Sequence, residues 1–566
     1  METSTKDNIN VAFLLQKLII PHSQPWKLDE YNRLCQACPL LKGQLSLKAT
    51  CTEWSKAGAD QIVKYLISKN RVDNVKHCFK EACRSGHVSV VGLLYPLLSH
   101  DTLSRETITK LFADACLRNH MPLMIWLHDT FQITSEEIKI HCDMIFTFSC
   151  MKGSLTVAKW LCETFHMTPE EVKTNDNYAF GLSSANGHLD VAQWLYNTFG
   201  ITSDEVKIQD NQTFLSSCSY CFLDVSRWLH DTFHMTTKEA KTNNNQAFRL
   251  SCAGGYLDVA KWLHETFHMT NRDIRMHDNY TFLDVCRNGQ LEVAKWLHET
   301  FHITDVEVRT NDHRIFKESC SNGHLDVVKW LYETFHMTFA EVTMCYHDKV
   351  FQDNCAYGHL AVAQWLYETF HISYRRDEIV GAFWRSCGCG HLDVVKWLFD
   401  TFQITPREAK AYDIMVFRES CVGGYLDVVK WLHKSLQITP EEVNILVESH
   451  YIFEESCSGG HLGVVKWLHE IFHITPDEVD VNRAFTESCI GNHLDVAQWL
   501  YSTFHITIED AKVIFRVSCE NGHKKVAKWL HKTFHMTNEE ACQAYHKCDQ
   551  NMIHWLEHNF NISQKK

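Results

Sequence analysis

The sequence predicts an all-α fold, a curved α-solenoid of about sixteen helix pairs with little or no strand, and three observations predict it. A Trp-Leu pair advances through Trp126, Trp160, Trp194, Trp228, Trp262, Trp296 and Trp330 in equal steps of 34 residues, then continues at Trp365, Trp397, Trp431, Trp467, Trp499, Trp529 and Trp555. Between successive tryptophans lies a Thr followed three residues later by an acid, as at Thr134/Glu137, Thr304/Glu307 and Thr405/Glu408. Apolar residues fall 22, 15, 14, 11 and 10 positions before the Trp, which is helical periodicity. A fixed period of a few tens of residues marks a solenoid, in which each repeat buries its apolar face against its neighbours only.

Each element of a repeat follows from its residues. Thr with an acid at the third position is a capping box, and Pro169, Pro406, Pro440 and Pro476 occupy the first helical position, where the missing N–H costs nothing. A first helix therefore starts at the Thr and is expected to run on unbroken. The repeat ending at Trp529 is shorter by four residues between cap and Phe515, about one turn, which keeps both apolar patches on one face. That helix ends at a turn such as Gly254-Gly255 or Asn322-Gly323, where glycine supplies positive φ. A second helix follows, LDVAKWLHETF from Leu257, with Asp258 in its first turn and a wide apolar arc. Leu93-Leu94 and Tyr65-Leu66 fill the Trp-Leu slot in two degenerate early repeats.

The organisation follows: residues 1–50 as an atypical helical N-terminal cap, 51–540 as the array, and 541–566 as a degenerate capping repeat. With 566 residues and 45% hydrophobic content the core is ample. A net charge of −14 and a pI near 6.2 argue against a general nucleic-acid binder, so no nucleic-acid partner is expected. No apolar run approaches a membrane span and the start METSTKDNIN is not a signal peptide, so neither membrane nor export is expected, and the protein is placed in the cytoplasm as a monomer. Of 24 cysteines, thirteen stand ten residues before the Trp slot, from Cys83 to Cys519. Stacked equivalents lie too far apart to bridge, so these are read as small, buried, reduced thiols, and Ser184 fills the slot once.

The segment Phe-x-x-Ser-Cys-x-x-Gly-His-Leu-Asp-Val-Val-Lys-Trp-Leu at 316–331 resembles the ankyrin consensus L-H-x-A-A-x-x-G-H-L-E-V-V-K-L-L. The resemblance covers about residues 50–566 and is most specific in the Gly-His turn and second helix. The threonine-proline-leucine-histidine signature is absent, and a capped extension of the first helix stands where the hairpin finger would be. The resemblance implies a non-enzymatic protein-protein interaction scaffold with one concave face lined by the first helices. Arrays so worded resemble those of amoeba-associated organisms and large DNA viruses, which would place the protein in a host cytoplasm. The alternative is an adaptor that recruits a larger complex, such as a ubiquitin ligase, through residues 1–50.

Motifs that could carry chemistry resolve into structure. His264-Glu-Thr-Phe-His268 matches the zinc-protease pattern H-E-x-x-H, and recurs at 298–302 and 469–473. The same slots read HDTFH, HKTFH, YETFH and YNTFG elsewhere, so neither ligand nor base is required, and no metal, cofactor or catalytic residue is assigned. Cys35/Cys38 and Cys218/Cys221 are half-sites at most, since a structural zinc wants four ligands together.

The binding face is sought where residues change from repeat to repeat. Positions 20, 16, 13 and 9 before the Trp lie within about 60° of one another, opposite the core. The thirteenth holds Lys80, Arg249, Lys317, Arg418 and Arg516 against a single acid, Glu454, and the twelfth holds Glu81, Asp114, Asp284, Glu318, Asp353, Glu419, Glu455 and Glu487. The bland reading is a solvated ladder of weak pairs; the functional one is a framed groove. Trp384 is the outlier on that stripe, and with Arg385 beside it and Tyr357 on the preceding repeat it forms the candidate contact patch, extended by Arg249, Lys317 and Arg418.

Overall fold

A computed structural model describes residues 55–560, except 57–59, 69–71, 73, 99–102, 339–340, 342–348, 371–374, 411–414, 440–448, 476–478 and 505–510. The proposed cap, residues 1–50, lies outside the described residues. The chain divides into two units, Met1–Asp273 and Ile274–Lys566. Among the described residues both are built from helices without a strand, an all-α repeat solenoid. Among the described residues sixteen second helices follow one another in sequence, from Asp60–Ser68 to Gln550–Phe560.

The capping boxes form as the sequence requires. The Thr304 side chain accepts from the Glu307 backbone N–H while the Glu307 carboxylate accepts from the Thr304 N–H, and the same reciprocal pair closes at Thr134, Thr168, Thr202, Thr236 and Thr405. The expectation of an unbroken first helix needs correction. Ser135–Met151 is unbroken, and Arg105–Leu117 and Arg376–Gly388 are continuous too, but in other repeats a single turn, such as Pro169–Val172 or Asp305–Val308, is followed by a separate segment, Thr174–Ala185 or Thr310–Ser321. Left-handed residues mark the break: Asn177, Asn211, Asn243, Asn244, Asn245, Asn311 and His313 all have φ between 50° and 61°. Asparagine visits this region at low cost because its short amide can bond locally. Here Asn211 and Asn245 are buried and donate from Nδ2 to the carbonyls of Glu239 and Asp273 in the following turn. The break thus aims a side chain at the next repeat, which a straight helix could not do.

Within a repeat the deepest side chains are not the tryptophans. Phe316, Ser319, Cys320, Val327, Val328 and Leu331 are at most 1% exposed, whereas Trp330 is half-buried. Full burial of each such Phe, Val or Leu stabilises by about 1.5–3 kcal/mol. The tryptophan serves the interface between repeats. Trp330 meets Phe282 of the preceding repeat at 6.3 Å between ring centroids and Phe335 of its own at 5.7 Å, both edge to face, a geometry favourable to aromatic pairs.

The cysteines of the repeated slot are buried thiols outside any disulfide. Burial pushes the thiols of Cys83, Cys218 and Cys489 up to about 12, so they remain protonated and act as small apolar groups. The serine before the cysteine has a second role that the sequence reading missed. The Ser386, Ser420 and Ser488 hydroxyls lie 2.6–2.7 Å from the carbonyl one turn earlier and 3.0–3.1 Å from the cysteine carbonyl of the preceding repeat.

Candidate binding surface

Repeats are tied at both edges, and these ties decide which side chains remain available to a partner. At the turn, Gly323 has φ of +77°, and a Cβ placed on it would lie 2.4 Å from Nδ1 of His359 in the next repeat. Gly289 faces His324 and Gly358 faces His391 in the same way. The Gly-His dipeptide is therefore half of two contacts: the glycine receives the following ring, and the histidine covers the preceding glycine. Where the ring is Tyr425 it covers Gly390.

At the opposite edge a basic residue clamps the next repeat. Arg376 reaches Glu408 at 2.6 Å and donates to the carbonyls of Phe402 and Gln403. Arg309 pairs with Glu341 and the Phe335 carbonyl; Lys173 with Glu205 and the Gly200 carbonyl; Lys241 with Asp273 and the His268 carbonyl. The cation sits on the carbonyls that a helix C-terminus leaves unpaired, where positive charge is favoured. The Arg376 bond holds the Glu408 carboxyl well below the usual range, aided by Thr405. At Glu341 the Arg309 bond leads and the carboxyl sits at about 2. At Glu307 burial opposes ionisation, and the Arg275 and Thr304 bonds outweigh it, again giving about 2. The capping acid is legible within one repeat; its second partner lies 32 residues upstream, in another.

The zinc-protease pattern does not assemble. His264 lies on helix Leu257–Phe267, but His268 has already left it in the left-handed conformation, φ 50°. At the second and third occurrences His302 and His473 do the same, with φ of 53° and 52°. The first histidine packs instead: the His298 ring lies 5.1 Å from Phe335 and 6.0 Å from Trp330, and its Nδ1 meets the Ile303 carbonyl at 3.0 Å. Cys218 is buried and Cys221 exposed, while Cys35 and Cys38 lie outside the described residues. Among the described residues no group of three or more His, Cys, Asp or Glu is arranged to hold a metal ion.

The residues of the candidate patch divide in two. Tyr357 is 56% exposed and Arg385 is exposed, and Arg385 reaches back at 2.8 Å to Asp353, one turn before Tyr357. Trp384 does not stand on the solvent stripe as expected. It is half-buried against the core and its indole N–H donates to the Ala409 carbonyl of the next repeat at 3.2 Å. Arg418 forks onto Glu455 through bonds of 2.9–3.2 Å, and Arg249 and Lys317 are half-buried. The thirteenth position before the Trp thus belongs largely to the seam between repeats; sixteenth-position residues such as Met144, Tyr178 and Met415 are the exposed ones.

No protein-family model matches the chain, and no curated protein matches it. Among solved structures the chain is similar to the pentatricopeptide repeat protein PPR10 from maize, at 9% identity over 94% of this chain and 97% of that one, with a TM-score of 0.21. At that score no residue correspondence follows. The expectation of no nucleic-acid partner is withdrawn, because the net charge of −14 is a property of the whole chain and does not fix the charge of any one face. No helix among the described residues is long and apolar enough to cross a membrane.

Proposed function

We propose that the protein is a non-enzymatic interaction scaffold that binds a protein partner on the face lined by its first helices. The observation that carries this reading is the separation of two residue classes. Side chains that hold repeats together recur at fixed positions and are buried or paired, as Cys320, Ser386 and Arg376 are. Those exposed on the first helices change from repeat to repeat, with Tyr178, Met415, Arg483 and Val513 at one register position. Variation on an ordered, exposed face is what recognition requires and what the stack itself does not use.

A photo-crosslinking amino acid placed at Tyr357, Arg385 or Met415 tests the reading in cells. Capture of one common protein from these positions, two on first helices and Tyr357 on the turn that ends one, is expected. Capture only from exposed second-helix positions, such as Asp393 or Lys396, would overturn it.

A further inference from the structure

In seven repeats of the C-terminal unit, spanning 314–520, at least one charged residue occupies the positions sixteen, thirteen, twelve or nine before the Trp. Several of these charges are paired between repeats, as in Arg385 with Asp353, Arg418 with Glu455 and Arg287 with Glu318. In the N-terminal unit the same four positions in three successive repeats, spanning 144–219, hold no Asp, Glu, Lys or Arg. The three first helices concerned, Ser135–Met151, Thr174–Ala185 and Ile208–Ser219, pack side by side. Their outer surface carries Met144 at 49%, Phe148 at 38% and Tyr178 at 55% exposure, with Tyr220 at 62% on the turn that ends the third helix. Charges resume at Lys110 and Asp114 before the window and at Arg249 after it.

We infer that this charge-free window is the docking surface for an uncharged, apolar segment of a protein partner, anchored by Met144, Phe148, Tyr178 and Tyr220. The inference rests on the scaffold reading and adds the place and the partner's chemistry. A partner that laid a carboxylate or ammonium here would strip it of water and find no opposite charge at these four positions of three repeats, a cost that apolar side chains avoid. The exposed Lys152 stands beyond them, on the turn that ends Ser135–Met151. Met and aromatic residues are also the types enriched at the centres of protein interfaces. First helices about 8–10 Å apart give a window about 20 Å across, which an extended segment of roughly six residues spans.

The test pans a displayed random-peptide library on the full chain and on three variants, Met144→Glu, Tyr178→Glu and Arg385→Glu. Peptides enriched on the wild type should be apolar or aromatic and without charge at their anchors. They should lose at least tenfold in binding to Met144→Glu and Tyr178→Glu and keep their binding to Arg385→Glu. Circular dichroism confirms folding, and Tyr178→Ser stands in if the glutamate variant does not fold. A charged peptide pool lost on Arg385→Glu overturns the window and leaves the scaffold reading intact. No enrichment on the wild type, or displacement of the apolar peptides from the window by a single-stranded RNA oligonucleotide, overturns it also.

Discussion

The indole N–H of Trp384 donates to the backbone carbonyl of Ala409, 3.2 Å away in the succeeding repeat. A residue that the sequence assigns to solvent is thereby part of the seam. Trp384→Phe should cost about 1 kcal/mol, the net worth of one such bond. Trp384→Ala, which also removes half-buried ring area, should cost about 2–3 kcal/mol. Hydrogen exchange should lose protection in the segments around 376–388 and 406–409 first; unchanged protection there would show the indole to be energetically idle.

The clamp between Arg376 and Glu408 should be measurable apart from the cap. Thr405→Ala removes one capping bond and should cost about 1 kcal/mol. A double-mutant cycle on Arg376→Met and Glu408→Gln should return a coupling of about 0.5–1 kcal/mol, modest because both side chains are partly exposed. A coupling of zero would mean that the cap alone sets the cost of losing Glu408.

Acid should weaken the stack in two stages. Glu307 and Glu341, held at about 2 against an ordinary 4.5, contribute stability that is fully present above pH 4.5 and lost as the pH falls towards 2. His359 is lowered from 6.5, first by burial, with a bond to the Ser321 carbonyl opposing and His324 and His391 adding to it. The unfolded chain takes up that proton more readily, so its share is present above pH 6.5 and declines below it. Thermal melts of the wild type and of His359→Gln should therefore diverge as the pH falls below 6.5, and converge at neutral pH if the glutamine that replaces the ring packs equally well. Melts of the wild type should fall again below pH 4.5, and less so in Glu307→Gln.

Gly323→Ala meets two obstacles, the positive φ and the ring of His359. It should cost about 2–3 kcal/mol, of which the backbone share is about 1 kcal/mol. Adding His359→Ala should recover part of the loss, because the clash is removed while the φ penalty stays. A double variant less stable than the sum of the single ones would contradict the stacking.

What could be read from sequence was what lies within one repeat. Thr304 and Glu307 announce a helix start because capping is local, and Val327, Val328 and Leu331 announce a buried face because periodicity is local. The break after the first turn was missed, although Asn177, Asn211 and Asn245 recur at one register position, because the left-handed turn is rewarded only by contacts to the following repeat. Trp384 was misplaced for the same reason: helical angles give its direction from its own axis, and the carbonyl that holds it belongs to another repeat. The zinc-like histidines were dismissed on their variability, and the left-handed His268 supplies the geometric reason.

The pairing of Gly323 with His359 is directional: a repeat with a Gly-His turn offers a bare backbone site forwards and a ring backwards. Any two repeats with a glycine and a ring in these places can follow one another, whatever their outer residues. Recombination that adds or removes a whole repeat therefore joins matching surfaces, while a cut elsewhere in the period leaves a ring without its glycine. Array length can change in whole-repeat steps, and the outer positions can diversify independently of the joints that carry them.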